Sequence, residues 1–180
     1  MKVIGFCGLP GSGKSTALIA IENLGKIITM GDVIRKEAIN KNIEPNNENL
    51  GKIAKELRER GGDAIVAKKS VEMIKNQTNK VIFVDGIRSL SEIEVFRRYW
   101  KFPVIAIETS DDLRYKRIRK RARSDDSKTF TEIMKRDKRE LGFGLKEVIN
   151  KANYKIMNDS SEEELKKITR EIVLEIIQNY

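Results

Sequence analysis

The sequence predicts a three-layer α/β fold: a five-stranded parallel sheet between helices, with a small helical lid. Three observations predict it. Short apolar runs alternate with stretches of helical periodicity along the whole chain. The runs are apolar throughout, as in strands buried on both faces of a parallel sheet. A glycine-rich turn joins the first run to the first helical stretch, and in such folds a ligand sits at the carboxyl ends of the strands.

The elements follow in order. Lys2 to Cys7 is the first strand, Gly8 to Gly13 the turn, and the next helix runs to about Leu24. Ile27 to Thr29 is a second, short strand. Asp32 to Ala38 reads as a short helix, stopped by the polar segment around Pro45. Leu50, Ile53, Ala54 and Leu57 repeat at the spacing of an amphipathic helix. Gly61 and Gly62 end it, and Asp63 stands where it can cap a helix running to about Asn76. Val81 to Asp85 and Val104 to Glu108 are apolar strands that end on carboxylates, and Tyr154 to Met157 is a weaker strand. Ser161 and Glu164 form a capping-box pattern that opens the last helix, with Leu165, Ile168, Ile172 and Ile176 on one face. No repeat or linker divides the chain, so residues 1–180 read as one domain. Its core is 1–30, 81–110 and 150–180, with a helical insert at 31–78 and a lid at 117–140.

Composition narrows the chemistry. Hydrophobic residues make up 39% and charged residues 35% of the 180, which is the pattern of a globular chain with a heavily charged surface. No apolar run is long enough to cross a bilayer, and the first strand starts at Lys2, leaving no room for a signal peptide. A cytoplasmic protein is expected. The lone Cys7 excludes an internal disulfide, and the absence of histidine excludes His-based triads and zinc sites. The net charge of +9 favours an anionic partner.

Gly8-Leu9-Pro10-Gly11-Ser12-Gly13-Lys14-Ser15 is a complete GxxxxGKS between strand and helix, the pattern of a P-loop. Its glycines let backbone N–H groups turn toward phosphate oxygens, Lys14 reaches the β- and γ-phosphates, and the Ser15 hydroxyl ligates Mg²⁺. Gly8, Pro10, Gly11, Ser12, Gly13, Lys14, Ser15 and Thr16 are the expected nucleotide-binding residues. Cys7, at the strand's end, reads as a packing residue. Asp85 ends a strand and precedes Gly86, where it suits a metal-bound water. Arg88 follows within a turn and suits a bidentate grip on phosphate.

Gly31, Asp32 and Arg35 follow the second strand. Asp32 is either a first-turn helix residue or a carboxylate near the metal, and Arg35 either solvated or near an acceptor phosphate. Arg114, Arg117 and Arg121 recur at i, i+3 and i+7, so one helical face can present three guanidinium groups. Asp125 and Asp126 follow directly and would repel a polyanion. Aromatic residues are 6% with no evident stacking platform, which ranks a nucleic-acid partner last.

Together these residues resemble the nucleoside monophosphate kinases of the P-loop kinase fold, particularly the archaeal adenylate-kinase-related proteins. The C-terminal third, with Tyr154 to Asp159 as last strand and base-cradling loop, looks like dephospho-CoA kinase. The family's Thr-Gly-Asp-x-x-Arg reads Met30-Gly31-Asp32-Val33-Ile34-Arg35 here, and its Asp-Gly-Phe-Pro-Arg reads Asp85-Gly86-Ile87-Arg88, one residue shorter and without the proline. The resemblance implies ATP as donor, Mg²⁺ held by Ser15, Asp85 and Asp32, and an acceptor clamp of Arg35 and Arg88. It implies that Arg117 and Arg121 contact donor phosphates, with Arg123, Asp125, Asp126 and Arg136 in the lid. A Gln four residues after the clamp Arg reads adenine in that family. Glu92 stands there, or else merely begins a helix facing solvent. The implied acceptor is a nucleoside monophosphate, AMP first and GMP the competitor. A dephospho-CoA-type hydroxyl kinase with Asp32 as base, and an ATPase or nucleotide sensor, are the alternatives. Monomer and homo-oligomer both stay open.

Overall fold

The computed structural model describes residues 1–121 and 129–179. The strands are β1 (Lys2–Cys7), β2 (Lys26–Thr29), β3 (Val81–Asp85), β4 (Val104–Glu108) and β5 (Tyr154–Met157). They form one parallel sheet in the order β2-β3-β1-β4-β5. The helices are α1 (Lys14–Ile19), α2 (Met30–Asn40), α3 (Asn47–Gly61), α4 (Ile65–Lys75), α5 (Leu90–Arg97), α6 (Asp111–Arg121), α7 (Phe130–Gly142), α8 (Leu145–Asn150) and α9 (Glu162–Asn179).

Successive side chains of a strand point to opposite faces of the sheet, and here both directions are buried. Val3 and Cys7, Ile82 and Val84, and Val104 and Ala106 join one apolar cluster with α2, α3, α4, α5 and α8. Ile4 and Phe6, Val81 and Phe83, and Ile105 and Ile107 join the other with α1 and α9. That is why, past Lys2 at the opening of β1, the central strands carry no polar position before their last residue. The register brings Phe6 and Thr29 level with Asp85, Cys7 with Ala106, and Glu108 with Met157. The loops after all five strands therefore open at one end of the molecule.

Several boundaries differ from expectation: α2 spans Met30–Asn40 and β2 begins at Lys26. Helix α1 stops at Ile19; beyond it the Ile21 and Leu24 N–H groups bond the carbonyls of Leu18 and Ile21, i→i+3 turns that tighten the chain toward β2. Asp63 does not cap α4, whose cap residue is Ala64 with no side-chain bond; the Gly62 carbonyl takes the Ile65 N–H at 3.0 Å instead.

A single side chain ties α6 and α7 to the turn after β1. Arg114, expected to share one guanidinium-bearing helical face with Arg117 and Arg121, is 2% exposed. Its Nη1 donates to the Pro10 carbonyl at 2.8 Å and its Nη2 to Asp137 Oδ2 on α7 at 2.6 Å, while Nε reaches Asp111 at 3.1 Å. Gly11 makes the close approach possible: a Cβ there would stand 2.7 Å from the Arg114 carbonyl oxygen, at a φ of +80° that disfavours side chains.

Removing one partner of a buried ion pair strands the other charge. Arg114→Met should therefore destabilise the protein by about 3–5 kcal/mol, and adding Asp137→Leu should recover most of that loss. Urea titration of the three proteins measures it; a single-variant loss under about 1 kcal/mol, the scale of an exposed pair, would contradict the tie.

Candidate active site

The turn from Gly8 to Gly13 is held from two sides. Arg114 takes the Pro10 carbonyl, and Asn158, just past β5 and 4% exposed, donates from Nδ2 to the Ser12 carbonyl at 2.7 Å. Gly13 sits at φ +108°, and a Cβ there would run into Asn158 Nδ2. Lys14 folds back over the turn, its Nζ 2.6 Å from the Gly8 carbonyl oxygen and 3.4 Å from that of Leu9. Burial pushes the Lys14 ammonium down from its ordinary pKa, against the pull of Asp85 and Glu140. The hydroxyl of Ser12 is buried without a hydrogen-bond partner among the described residues. Cys7 packs below the turn, and burial pushes its thiol up to about 12, as suits an unreactive packing residue.

A cavity of about 550 Å³ opens over this turn. Its wall includes Gly8, Pro10, Gly11, Gly13, Lys14, Ser15 and Thr16 from the first motif, Gly31 and Arg35 after β2, and Asp85, Gly86 and Arg88 after β3. Arg117 and Lys120 enter from α6, Arg136 and Glu140 from α7, and Asn158 from the loop after β5. Arg117 Nη2 donates to the Asn158 carbonyl at 3.2 Å, while its Nη1 is buried without a hydrogen-bond partner among the described residues. Arg121 is the last residue of α6; Arg123, Asp125 and Asp126 lie outside the described residues.

The donor set fits a hard divalent cation. Asp85 Oδ1 is buried with no hydrogen-bond partner among the described residues, and the Ser15 hydroxyl shares its wall. Among the described residues no group of three or more His, Cys, Asp or Glu forms a metal cage. Asp32 has another partner. It forms a 2.5 Å ion pair with Arg35, its side chain 55% exposed and outside the cavity wall.

Two arginines converge on Glu140, which is 5% exposed. Arg136 Nε donates to it at 3.2 Å and Arg88 Nη2 lies 3.5 Å away. Burial alone would raise the carboxyl; Arg88, Arg136 and Lys14 outweigh burial and hold it at about 2. A smaller pocket of about 70 Å³ continues beneath, with Ile34, Leu50, Ala54 and Phe143 among apolar walls and Arg35, Arg58, Arg88, Arg136 and Arg139 around it.

Glu92 has neither of its expected roles. It is fully buried, and it lines neither the cavity nor the pocket beneath it. One oxygen accepts from Arg58 Nη2 and the other from the Arg88 backbone N–H, both at 2.8 Å. Ser89 caps α5 through the Glu92 N–H at 3.2 Å. Glu92 thus fixes the turn that carries Arg88. Sequence reasoning passed over Glu140, Arg58 and the particular role of Asn158. Arg136 and Glu140 at i, i+4 were the available signal for the first, and the position after a strand end for the last.

Because the Glu140 carboxyl is depressed, its contribution is complete above its unfolded pKa near 4.5 and is lost as pH falls toward about 2. Roughly 3 kcal/mol should disappear between pH 5 and pH 2 through this group. Urea midpoints across that range should fall steeply for the wild type and flatten for Glu140→Gln; equal slopes would show that Glu140 is not the group.

A family model described as "AAA domain" matches residues 4–141. A UPF0200 protein of Methanosarcina mazei is 38% identical, over 96% of this chain and 94% of its own. One from Saccharolobus islandicus is 42% identical, over 99% and 96%. A UPF0200/UPF0201 protein of Archaeoglobus fulgidus is 41% identical over 99% of this chain, which spans only 57% of that protein's length. Among solved structures, TT1252 from Thermus thermophilus superposes with a TM-score of 0.65 at 16% identity, over 97% of both chains. Shikimate kinase from Acinetobacter baumannii, in complex with shikimate, gives 0.64 at 14% identity over 99% of this chain and 94% of that one. Likeness at such low identity concerns the fold alone. The chain belongs to the UPF0200 family of archaeal proteins, with an AAA-domain sequence carried on the P-loop kinase fold.

Proposed function

We propose that the protein transfers the γ-phosphoryl group of ATP to the phosphate of a nucleoside monophosphate, with AMP the first acceptor to test. The observation that carries this reading is the arrangement of cations around one cavity: Lys14 at the turn, Arg35 and Arg88 opposite, Arg117 and Arg136 from the two lid-side helices. Phosphoryl transfer between two anions requires positioning and charge neutralisation more than covalent chemistry. Arg35 and Arg88 bind the acceptor phosphate, Arg117 and Arg121 the donor phosphates, and Asp32 orients Arg35 through their ion pair. Ser15 and Asp85 would hold Mg²⁺, which supplies charge neutralisation at the donor phosphates when bound. The lid-side helices α6 and α7 border the cavity where the reactants would be shielded from water.

Two carboxylates support a phosphate acceptor, which needs no general base. Glu140, held at about 2, is a poor proton acceptor near neutrality, and Asp32 stands outside the cavity wall. The unpartnered oxygen of Asp85 favours one second reading, a hydroxyl acceptor of the dephospho-CoA or small hydroxy-acid kind with Asp85 as base. We place either activity in the cytoplasm; no described helix is long and apolar enough to cross a membrane.

A coupled assay of ADP formation over the monophosphates, dephospho-CoA and shikimate tests the proposal. AMP-dependent ADP should appear, and Lys14→Ala or chelation of Mg²⁺ should abolish it. Arg117→Ala should lower kcat by about 10³-fold or more, whereas Arg35→Ala should raise the acceptor KM. ADP formed only with a hydroxyl acceptor would move the assignment to the second reading, and ADP formed by Lys14→Ala at the wild-type rate would remove both.

A further inference from the structure

We propose that the end of the sheet opposite the nucleotide cavity is a second binding surface, which takes single-stranded nucleic acid on Tyr99 and Trp100. It does not depend on the phosphotransfer reading, because it shares no residue with that cavity. Helix α5 ends at Arg97, and Arg98-Tyr99-Trp100-Lys101 then leads into β4. These residues line a shallow pocket of about 460 Å³ with Asn153 on its far side.

The two rings stand 5.6 Å apart between centroids, tilted by 45°. Tyr99 is 50% exposed, while Trp100 is half-buried and packs against the apolar core. Lys75 Nζ sits 4.5 Å from the Tyr99 ring centroid. Arg97 is fixed to the pocket wall, its Nη2 3.4 Å from Asn153 Oδ1 and its Nε 3.5 Å from the Phe102 carbonyl oxygen.

The strand starts add cations at the same end of the sheet. Lys2 pairs with Val81 in register and donates its N–H to the Lys80 carbonyl at 2.8 Å, so Lys80 and Lys2 stand at the openings of the adjacent strands β3 and β1. Lys101 precedes β4, the next strand over. Against these stand Glu72, paired with Lys75 at 3.0 Å, and Glu94, one turn back along α5. The result is a pair of aromatic rings in a shallow pocket, flanked by guanidinium and ammonium groups.

That combination selects among anionic partners. Single strands offer unstacked bases for the rings and phosphates for the cations, whereas a duplex hides its base faces. A membrane surface calls for a projecting amphipathic helix with large apolar side chains; here Trp100 packs against the core and the exposed neighbours of Tyr99 are charged. The basic run on α6 is only partly at the surface, where Lys116 and Arg119 are exposed beside the edge-to-face pair of Tyr115 and Phe130. Arg114 is buried on Asp137, and Arg117 faces the nucleotide cavity.

Trp100 is the chain's only tryptophan, so its fluorescence reports on this pocket alone. Titration of the full chain with a mixed-sequence 12-nucleotide single-stranded RNA should quench it. The logarithm of the association constant should fall with log salt at a slope of roughly −2 to −3, about 0.7 per phosphate neutralised. Tyr99→Ala, an exposed change, should weaken binding roughly five- to hundredfold, the range for loss of one stacked base. Arg98→Ala should flatten the salt slope by about 0.7, the share of one phosphate contact. Four results would overturn the proposal: no quenching; affinity unchanged in both Tyr99→Ala and Arg98→Ala; equal affinity for a duplex of the same length; or a response of Trp100 to anionic phospholipid vesicles and not to the oligonucleotide.

Discussion

The carbonyl oxygens of Pro10 and Ser12 are each held by one buried side chain from a distant part of the sequence, and the nucleotide cavity depends on both bonds. A glycine-rich turn has little conformational preference of its own, because glycine loses more freedom on ordering than any other residue. Here the ordering comes from outside the turn. Arg114 arrives from α6 and Asn158 from the loop after β5. The same two residues bind the turn to its surroundings. Arg114 pairs with Asp137 of α7, and the Asn158 carbonyl accepts from Arg117. A shift of α6 or α7 would therefore be felt at the turn, with no flexible connection between. Packed networks of this kind transmit displacement because their interiors have few alternative arrangements.

Charge around the cavity follows a second constraint. Lys14, Arg35, Arg88, Arg117 and Arg136 share one concave wall, and without anions they would repel each other. Glu140, Asp85 and Glu162 are the carboxylates on that wall among the described residues. Glu140 lies where the larger cavity meets the smaller, arginine-lined pocket, and it keeps Arg88 and Arg136 side by side. Glu92 does related work one layer deeper, where it joins Arg58 to the backbone of Arg88. The Arg88 guanidinium is thus directed by one carboxylate from within the fold and by another across the cavity. An arginine prepared in this way loses little further freedom on meeting a phosphate, which is the general benefit of preorganisation.

What could be read from the sequence divides along a physical line. Strand identity was legible because a strand covered on both faces must be apolar at every interior position, and a run such as Val81 to Val84 shows this locally. The phosphate turn was legible because its chemistry is encoded in consecutive residues. The Arg-rich helix was not. Spacing put Arg114, Arg117 and Arg121 on one face, but whether that face meets water depends on Asp137, 23 residues further on. Glu92 failed in the same way: a position counted from Arg88 says nothing about Arg58, 34 residues earlier, which takes up one of its oxygens. Local pattern fixes secondary structure and sequential motifs, while the partner of a charged side chain is a tertiary fact.

The net charge of +9 acquires a location by the same logic. Parallel strands run in one direction, so every strand start lies at one end of the molecule and every strand end at the other. Lys2, Lys26 and Lys80 stand at or beside the starts of β1, β2 and β3, and Lys101 precedes β4. The carboxylates Asp85 and Glu108 terminate strands at the opposite end. At the strand ends, cations enter a cavity and meet Asp85 and Glu140, which suits discrete phosphate groups. At the strand starts they lie at the end of the sheet that also carries Tyr99 and Trp100, which suits an extended anion with flat bases. Formal charge summed over the chain could not separate these two environments; the direction of the strands does.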